Sequence, residues 1–61
     1  MTPKPIYYTI EEIANMLKVN PESVRRWVRS GKMKAIKLGG KYIRVEATNL
    51  DDFINRSKVT I

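Results

Sequence analysis

The segment Val19–Gly31 reads VNPESVRRWVRSG and carries signals for both ends of one helix. Asn20 is a favoured N-cap residue, because its side-chain oxygen can accept a hydrogen bond from an N–H group of the first turn. Pro21 follows at the first helical position, where a backbone N–H has no partner to lose. Gly31 stands where a left-handed residue commonly ends a helix. These signals predict a helix over residues 21–30.

One side of this helix is apolar and the other is basic. At 100° per residue the apolar side carries Val24, Trp27 and Val28. The opposite side carries Glu22, Arg26 and Arg29, with Ser23 and Arg25 on the flanks. A helix this short is marginal alone, so its apolar side must pack on another element and leave the arginines outward. Taken alone, the arginines are as consistent with an ordinary solvent-exposed helix surface as with a binding surface.

A second helix is indicated just before this one. Thr9 and Glu12 have the spacing of a capping box, in which each side chain accepts from the other residue's backbone N–H. Apolar residues then recur at helical spacing: Ile10, Ile13, Ala14 and Leu17. The pattern predicts a helix over residues 10–17, followed by a short turn at Lys18. If Lys18 is left-handed, it carries a cost of about 1–2 kcal/mol.

After Gly31 the pattern becomes extended, with residues 33–38 and 41–45 separated by Gly39-Gly40. A two-residue glycine link between such runs predicts a β-hairpin, because both central residues of a type I′ turn need positive φ. We call this hairpin the wing. Its cations could equally be solubilising residues on an edge strand. Thr48 and Asp51 then resemble a helix start, and Leu50, Phe53 and Ile54 predict a third helix over residues 49–56.

Charge is concentrated in the middle of the chain. The sequence has 12 Lys and Arg against 6 Asp and Glu, a formal charge of +6. No acid lies between Glu22 and Glu46, where eight cations occur: Arg25, Arg26, Arg29, Lys32, Lys34, Lys37, Lys41 and Arg44. A solubilising surface normally mixes both signs. The segregated charge therefore favours a face that binds a polyanion.

Several function classes are disfavoured by composition. The 61 residues contain no Cys and no His, and we find no carboxylate pair placed for catalysis, so we expect no enzyme activity, metal, cofactor or small-molecule ligand. No signal peptide or membrane span is apparent, and a cytoplasmic location is expected by default. We interpret residues 1–6 as a disordered lead-in, 7–57 as one domain and 58–61 as a frayed end.

Together these elements predict an α+β fold, a small winged helix-turn-helix with a short C-terminal helix. Such a fold can place its second helix in the major groove of double-stranded DNA and its hairpin on the neighbouring backbone. The expected DNA-binding residues of the helix are Pro21, Glu22, Ser23, Arg25, Arg26 and Arg29. Those of the wing are Lys37, Gly39, Gly40, Lys41 and Arg44.

The segments Tyr8–Ala14, Val19–Val28 and Gly31–Met33 resemble the excisionase-type, MerR-like winged-helix family. Arg44-Val45 and the Leu-x-x-Phe motif at Leu50–Phe53 extend the resemblance, which covers about residues 7–55. It implies major-groove contacts from the second helix, by Ser23, Arg25 and Arg26, and wing contacts from Lys41.

The resulting hypothesis is an accessory protein that binds duplex DNA near recombination sites, bends it and steers a recombinase or integrase encoded elsewhere. A small transcriptional regulator acting at an operator through the same domain is the main alternative. An interaction adaptor without DNA affinity is a third. Since no leucine-periodic helix follows Ile54, we expect a monomer in solution that associates head to tail on DNA.

Overall fold

A computed structural model describes residues 5–58. In chain order the elements are β1 (Tyr7–Tyr8), α1 (Ile10–Leu17), α2 (Pro21–Arg29), β2 (Ile36–Leu38), β3 (Tyr42–Glu46) and α3 (Ala47–Ser57). Two helices joined by a tight turn, a β-hairpin and a closing helix confirm the predicted winged α+β fold. Within the described residues, no helix has both the length and the apolarity needed to cross a membrane.

The starts of α1 and α2 follow the predicted caps. Thr9 and Glu12 form a complete capping box: the Thr9 N–H donates to Glu12 Oε1 at 2.8 Å, and the Glu12 N–H donates to Thr9 Oγ1 at 3.0 Å. At α2, Asn20 Oδ1 accepts from the Glu22 N–H at 2.9 Å, and Pro21 opens the helix. Because caps depend on residues two or three positions apart, sequence alone was enough to locate both starts.

The turn between α1 and α2 is as tight as predicted, and Lys18 is left-handed, with φ 57° and ψ 47°. The Val19 N–H donates to the Ala14 carbonyl at 3.0 Å, and the Lys18 N–H donates to the Asn15 carbonyl at 3.3 Å. This pair of bonds forms a Schellman motif, which usually places glycine where Lys18 stands. The chain therefore accepts about 1–2 kcal/mol of backbone strain to join its two helices.

A second Schellman motif ends α2. Its bonds run from the Gly31 N–H to the Val28 carbonyl, 3.2 Å, and from the Lys32 N–H to the Trp27 carbonyl, 2.9 Å. Gly31 has φ 82°, as expected of a terminating glycine. The predicted helix was one residue too long, since Ser30 is the C-cap and α2 ends at Arg29.

The three strands form one antiparallel sheet in the order β1-β3-β2. β1 was not predicted; it pairs Tyr7 with Glu46 and Tyr8 with Val45. The prediction of a first wing strand over residues 33–38 was too long. The Met33 N–H donates to the Trp27 carbonyl at 3.1 Å and so is committed to the end of α2, leaving only Ile36–Leu38 in β2.

The wing turn is also longer than predicted. Leu38 pairs with Tyr42, so three residues connect the strands instead of two, and Lys41 belongs to the turn. The glycine prediction itself is confirmed, because Gly39 and Gly40 have φ 61° and 72°. The Lys41 N–H donates to the Leu38 carbonyl at 3.2 Å and closes the turn.

Helix α3 begins earlier than predicted, and its predicted cap was wrong. Glu46 is the N-cap residue, and its side chain caps no backbone N–H. The Thr48 hydroxyl instead donates to Glu46 Oε1 at 3.0 Å. The Ala47 N–H is satisfied by the Ile6 carbonyl at 2.8 Å, so a neighbouring strand end replaces the local cap. Residues 1–4 and 59–61 of the predicted lead-in and frayed end lie outside the described residues.

One apolar core joins all three helices to β3. Its buried members are Ile10, Ile13, Ala14, Val24, Met33, Val45, Leu50 and Phe53. Trp27 is half-buried at the edge of this core, with its ring centroid 4.9 Å from that of Phe53. The core fixes α2 by its apolar side and β3 by Val45, so the helix and the wing are held by the same packing.

Candidate nucleic-acid interface

The outer side of α2 carries the predicted basic residues. Glu22, Arg26 and Arg29 are exposed, whereas Pro21, Ser23 and Arg25 are half-buried. Val24 on the opposite side is fully buried, which fixes the rotation of the helix about its axis. The helix therefore presents Arg26 and Arg29 outward, as its sequence periodicity predicted.

Arg25 differs from the other two arginines because it is already paired. Its Nη1 lies 2.6 Å from Glu22 Oε1 within the same helix. Its Nη2 lies 3.6 Å from Glu11 Oε1, which belongs to α1. Among the described residues, neither Arg26 nor Arg29 makes an ion pair. The two exposed arginines thus carry unneutralised charge, and Arg25 does not.

A cleft separates α2 from the wing and brings cations of both elements together. This α2–wing cleft has a volume of about 310 Å³ and is lined by Ile10, Arg25, Val28, Arg29, Lys37 and Ile43. Three of the lining side chains are apolar, and the three cations come from two different elements. The structure therefore places Arg25, Arg29 and Lys37 around one concave surface.

A second concavity lies between the start of α1 and β3. This α1–wing groove has a volume of about 460 Å³ and is lined by Thr9, Ile10, Glu11, Lys41, Tyr42, Ile43 and Arg44. Ile10 and Ile43 line both concavities, so the two adjoin. Lys41 and Arg44 therefore line a groove next to the α2–wing cleft, although the strand pairing puts Arg44 and Lys37 on opposite faces of the hairpin.

Two wing cations are organised around Tyr42. The Lys41 ammonium lies 5.6 Å from the centre of the Tyr42 ring, and the Arg44 guanidinium carbon lies 5.8 Å from it. Both distances are within cation–π range. Arg44 Nη1 also donates to the Ile43 carbonyl at 2.8 Å. These contacts hold both cations beside the wing strand.

The wing turn leaves room for a close approach. Nothing lies within 4 Å of where a Cβ would stand on Gly39 or Gly40. The missing side chains thus open the tip of the wing to an external surface. Next to the tip, cross-strand pairing puts Ile36, Leu38, Tyr42 and Arg44 on one face, on which the three apolar side chains are exposed.

The predicted residues therefore separate into groups. Arg25, Arg29 and Lys37 share the α2–wing cleft, and Lys41 and Arg44 line the adjoining groove. Arg26 lines neither concavity and projects from the exposed side of α2. Glu11 and Tyr42 also line this surface, and neither was predicted to do so. No local signal could have found the Glu11 contact, because its partner is 14 residues away.

The described residues 5–58 contain no group of three His, Cys, Asp or Glu side chains placed to hold a metal ion. The chemistry that the surface offers is charge and hydrogen bonding: guanidinium and ammonium groups, a helix N-terminus and a glycine turn. These groups recognise phosphate and base edges without reacting with them.

Comparison with known proteins agrees with this geometry. Residues 7–58 match a protein family described as "Helix-turn-helix domain". An excisionase of Mycobacterium phage D29 is 37% identical over 43 residues, which cover 70% of this chain and 77% of the phage protein. No solved structure matches the chain with comparable significance.

Proposed function

The chain belongs to the excisionase-type helix-turn-helix DNA-binding family, and from this membership we propose that it reads duplex DNA with α2 in the major groove and the wing on the adjacent backbone. The observation that carries the proposal is the α2–wing cleft, where Arg25 and Arg29 of the helix meet Lys37 of the wing. Cations from two elements around one concave face can contact a curved duplex at two places.

Different residues take different roles in this proposal. Ser23 stands in the first turn of α2, the part of a recognition helix that meets base edges, and Arg26 follows three residues later on the exposed side of the helix. The guanidinium of Arg26 can donate two hydrogen bonds to guanine O6 and N7. The side chains of Arg29, Lys37, Lys41 and Arg44 are suited to phosphates, which position the protein without reading sequence. Gly39 and Gly40 let the turn backbone approach the DNA.

The proposed biological role is that of an accessory factor in site-specific recombination. The likeness to a phage excisionase supports this role. The protein would bind near recombination sites and bend the DNA, so that a recombinase or integrase encoded elsewhere acts in one direction. Bending would follow if neighbouring copies associate along the duplex, because DNA that follows such an array is deformed.

Duplex binding should depend strongly on salt. The described surface holds five wing and helix cations along two adjoining concavities, besides Arg26. If about four to six cations contact phosphates, log K should fall with log[salt] with a slope of about −4 to −5. Fluorescence anisotropy with a labelled duplex at several salt concentrations measures this slope. A flat dependence, or tighter binding to the matching single strand, would contradict the groove model. Absence of binding to any DNA would favour an adaptor without DNA affinity.

We further propose that copies of the chain associate head to tail on DNA. A single small module buries only about 600–1,000 Å² against DNA, which gives limited selectivity. The wing offers an exposed apolar face, the exposed Lys34 lies just before it, and α3 offers the exposed acid Asp52. Their opposite charges suit a heterologous contact between neighbouring copies.

Such contacts predict cooperative binding to repeated sites. Two directly repeated sites should bind with higher affinity per site than one, and the free protein should sediment as a monomer. Analytical ultracentrifugation and titration of one-site and two-site duplexes provide the measurements. A stable two-fold dimer in solution, or equal affinity per site for both duplexes, would refute the array.

A further inference from the structure

We propose that Glu11 is a specificity-determining positioning residue, which holds Arg25 away from phosphates so that the arginine engages DNA only where a base offers it a better partner. The inference rests on the proposed function, because it concerns how the same surface distinguishes one duplex from another. It assigns to α1 a part in recognition that its sequence does not suggest.

The geometry that points to this role is a three-residue ion cluster across two helices. Arg25 lies between Glu22 Oε1, at 2.6 Å, and Glu11 Oε1, at 3.6 Å. The cluster has a net charge of −1, although it stands in the middle of a basic surface. Arg25 lines the α2–wing cleft and Glu11 lines the adjoining α1–wing groove, so both face the region that DNA would occupy.

The two ion pairs of Arg25 are weak enough for the arginine to exchange its carboxylate partners for a group on the DNA. The Arg25 side chain is 39% exposed, and those of Glu11 and Glu22 are 63% and 66% exposed. Ion pairs with this exposure contribute little to stability. A bidentate arginine–guanine contact discriminates strongly between bases. Arg25 can therefore leave its carboxylates for a correctly placed guanine, whereas a single screened phosphate is a poorer competitor.

The main expected consequence is a lower affinity for duplex DNA of random sequence. Binding to random DNA depends on the number of phosphates that cations neutralise. While Glu11 and Glu22 neutralise Arg25, the number of cations available to phosphates is reduced by one. At the preferred sequence, a contact between Arg25 and a base replaces the missing phosphate contact. The cluster thus lowers affinity for random duplex more than for the preferred sequence.

Glu11 is the member of the cluster that can be tested cleanly. It takes no part in the α1 capping box, which uses Thr9 and Glu12. It also lies outside α2, so its substitution leaves the proposed base-reading helix unchanged. Asp51 offers a matched control, because it is an exposed acid in the first half of α3 and has no ion pair among the described residues.

The experiment compares Glu11→Gln, Asp51→Asn and the unchanged chain on two duplexes: one of random sequence and one selected from a random pool by the unchanged protein. Glu11→Gln should bind the random duplex about three- to eightfold more tightly at 0.1 M salt, with a salt slope steeper by up to about 0.9. Its affinity for the selected duplex should change less than twofold. Asp51→Asn, with the same net charge, should change neither value.

The same comparison in an Arg25→Ala background separates positioning from simple repulsion. If Glu11 acts through Arg25, Glu11→Gln should add nothing there. A gain on random duplex that persists without Arg25, or that Asp51→Asn reproduces, would overturn the proposal, as would an unchanged random-duplex affinity in Glu11→Gln. Failure of the unchanged protein to bind any duplex would instead overturn the proposed function, and this inference with it.

Discussion

Replacing Met33 by alanine is expected to lower the free energy of unfolding by about 3 kcal/mol. Met33 is 1% exposed, although it lies in neither a helix nor a strand. Truncation of a buried methionine removes its apolar contacts and leaves a cavity, which costs about 2–5 kcal/mol. A chain of this size has only about 3–9 kcal/mol of total stability. Urea denaturation followed by Trp27 fluorescence measures the loss.

Met16 is the matched control for this substitution. It lies on α1 with 51% of its surface exposed, so Met16→Ala should change the unfolding free energy by less than about 0.5 kcal/mol. Met33→Leu, which keeps the volume, should cost less than about 1.5 kcal/mol. Equal effects of Met16→Ala and Met33→Ala would show that Met33 does not anchor the core.

The buried position of Met33 could not be predicted from the sequence. The segment after Gly31 has an extended, β-prone pattern, and an extended strand starting at Met33 was a fair interpretation of it. The chain instead uses the Met33 N–H to complete the end of α2, and its side chain fills the core between helices and sheet. That choice depends on contacts with Trp27 and with distant core residues, which no short window of sequence contains.

Caps and helix faces, by contrast, were predictable. Thr9 with Glu12, and Asn20 with Pro21, act over three residues or fewer, and each marks its helix start correctly. The rotation of α2 followed from the spacing of Val24 relative to its neighbours. The cap of α3 was mispredicted for the opposite reason, since the Ala47 N–H bonds to Ile6, 41 positions away in sequence.

Some features of the candidate interface were likewise predictable from local sequence patterns, and others depended on the fold. Its residues on α2 and the wing turn could be named from charge and periodicity, because both are local patterns. The joining of Lys37 to Arg25 and Arg29 in one cleft needed the three-dimensional fold. So did the pairing of Arg25 with Glu11, which separates this arginine from Arg26 although the two are adjacent in sequence.

The largest expected effect on binding follows from assigning a base contact to Arg26 and a phosphate contact to Lys41. Arg26→Ala should remove about 1–3 kcal/mol of discrimination between the preferred duplex and random duplex, because a bidentate base contact is lost. Lys41→Ala should weaken both duplexes about equally and make the salt slope shallower by about 0.9, because a phosphate contact is lost. Neither exposed side chain supports the core, so stability should change little in either variant.

Arg56→Ala is the control for loss of an arginine as such. Arg56 lies on α3, where it pairs with Asp52 at 3.1 Å, outside both concavities. Its removal should leave sequence preference and the salt slope close to those of the unchanged protein. If Lys41→Ala altered sequence preference while Arg26→Ala did not, the wing would be the reading element and α2 the phosphate-binding one. In that case the hairpin would insert into a groove of the DNA, and the exposed side of α2 would lie along the DNA backbone.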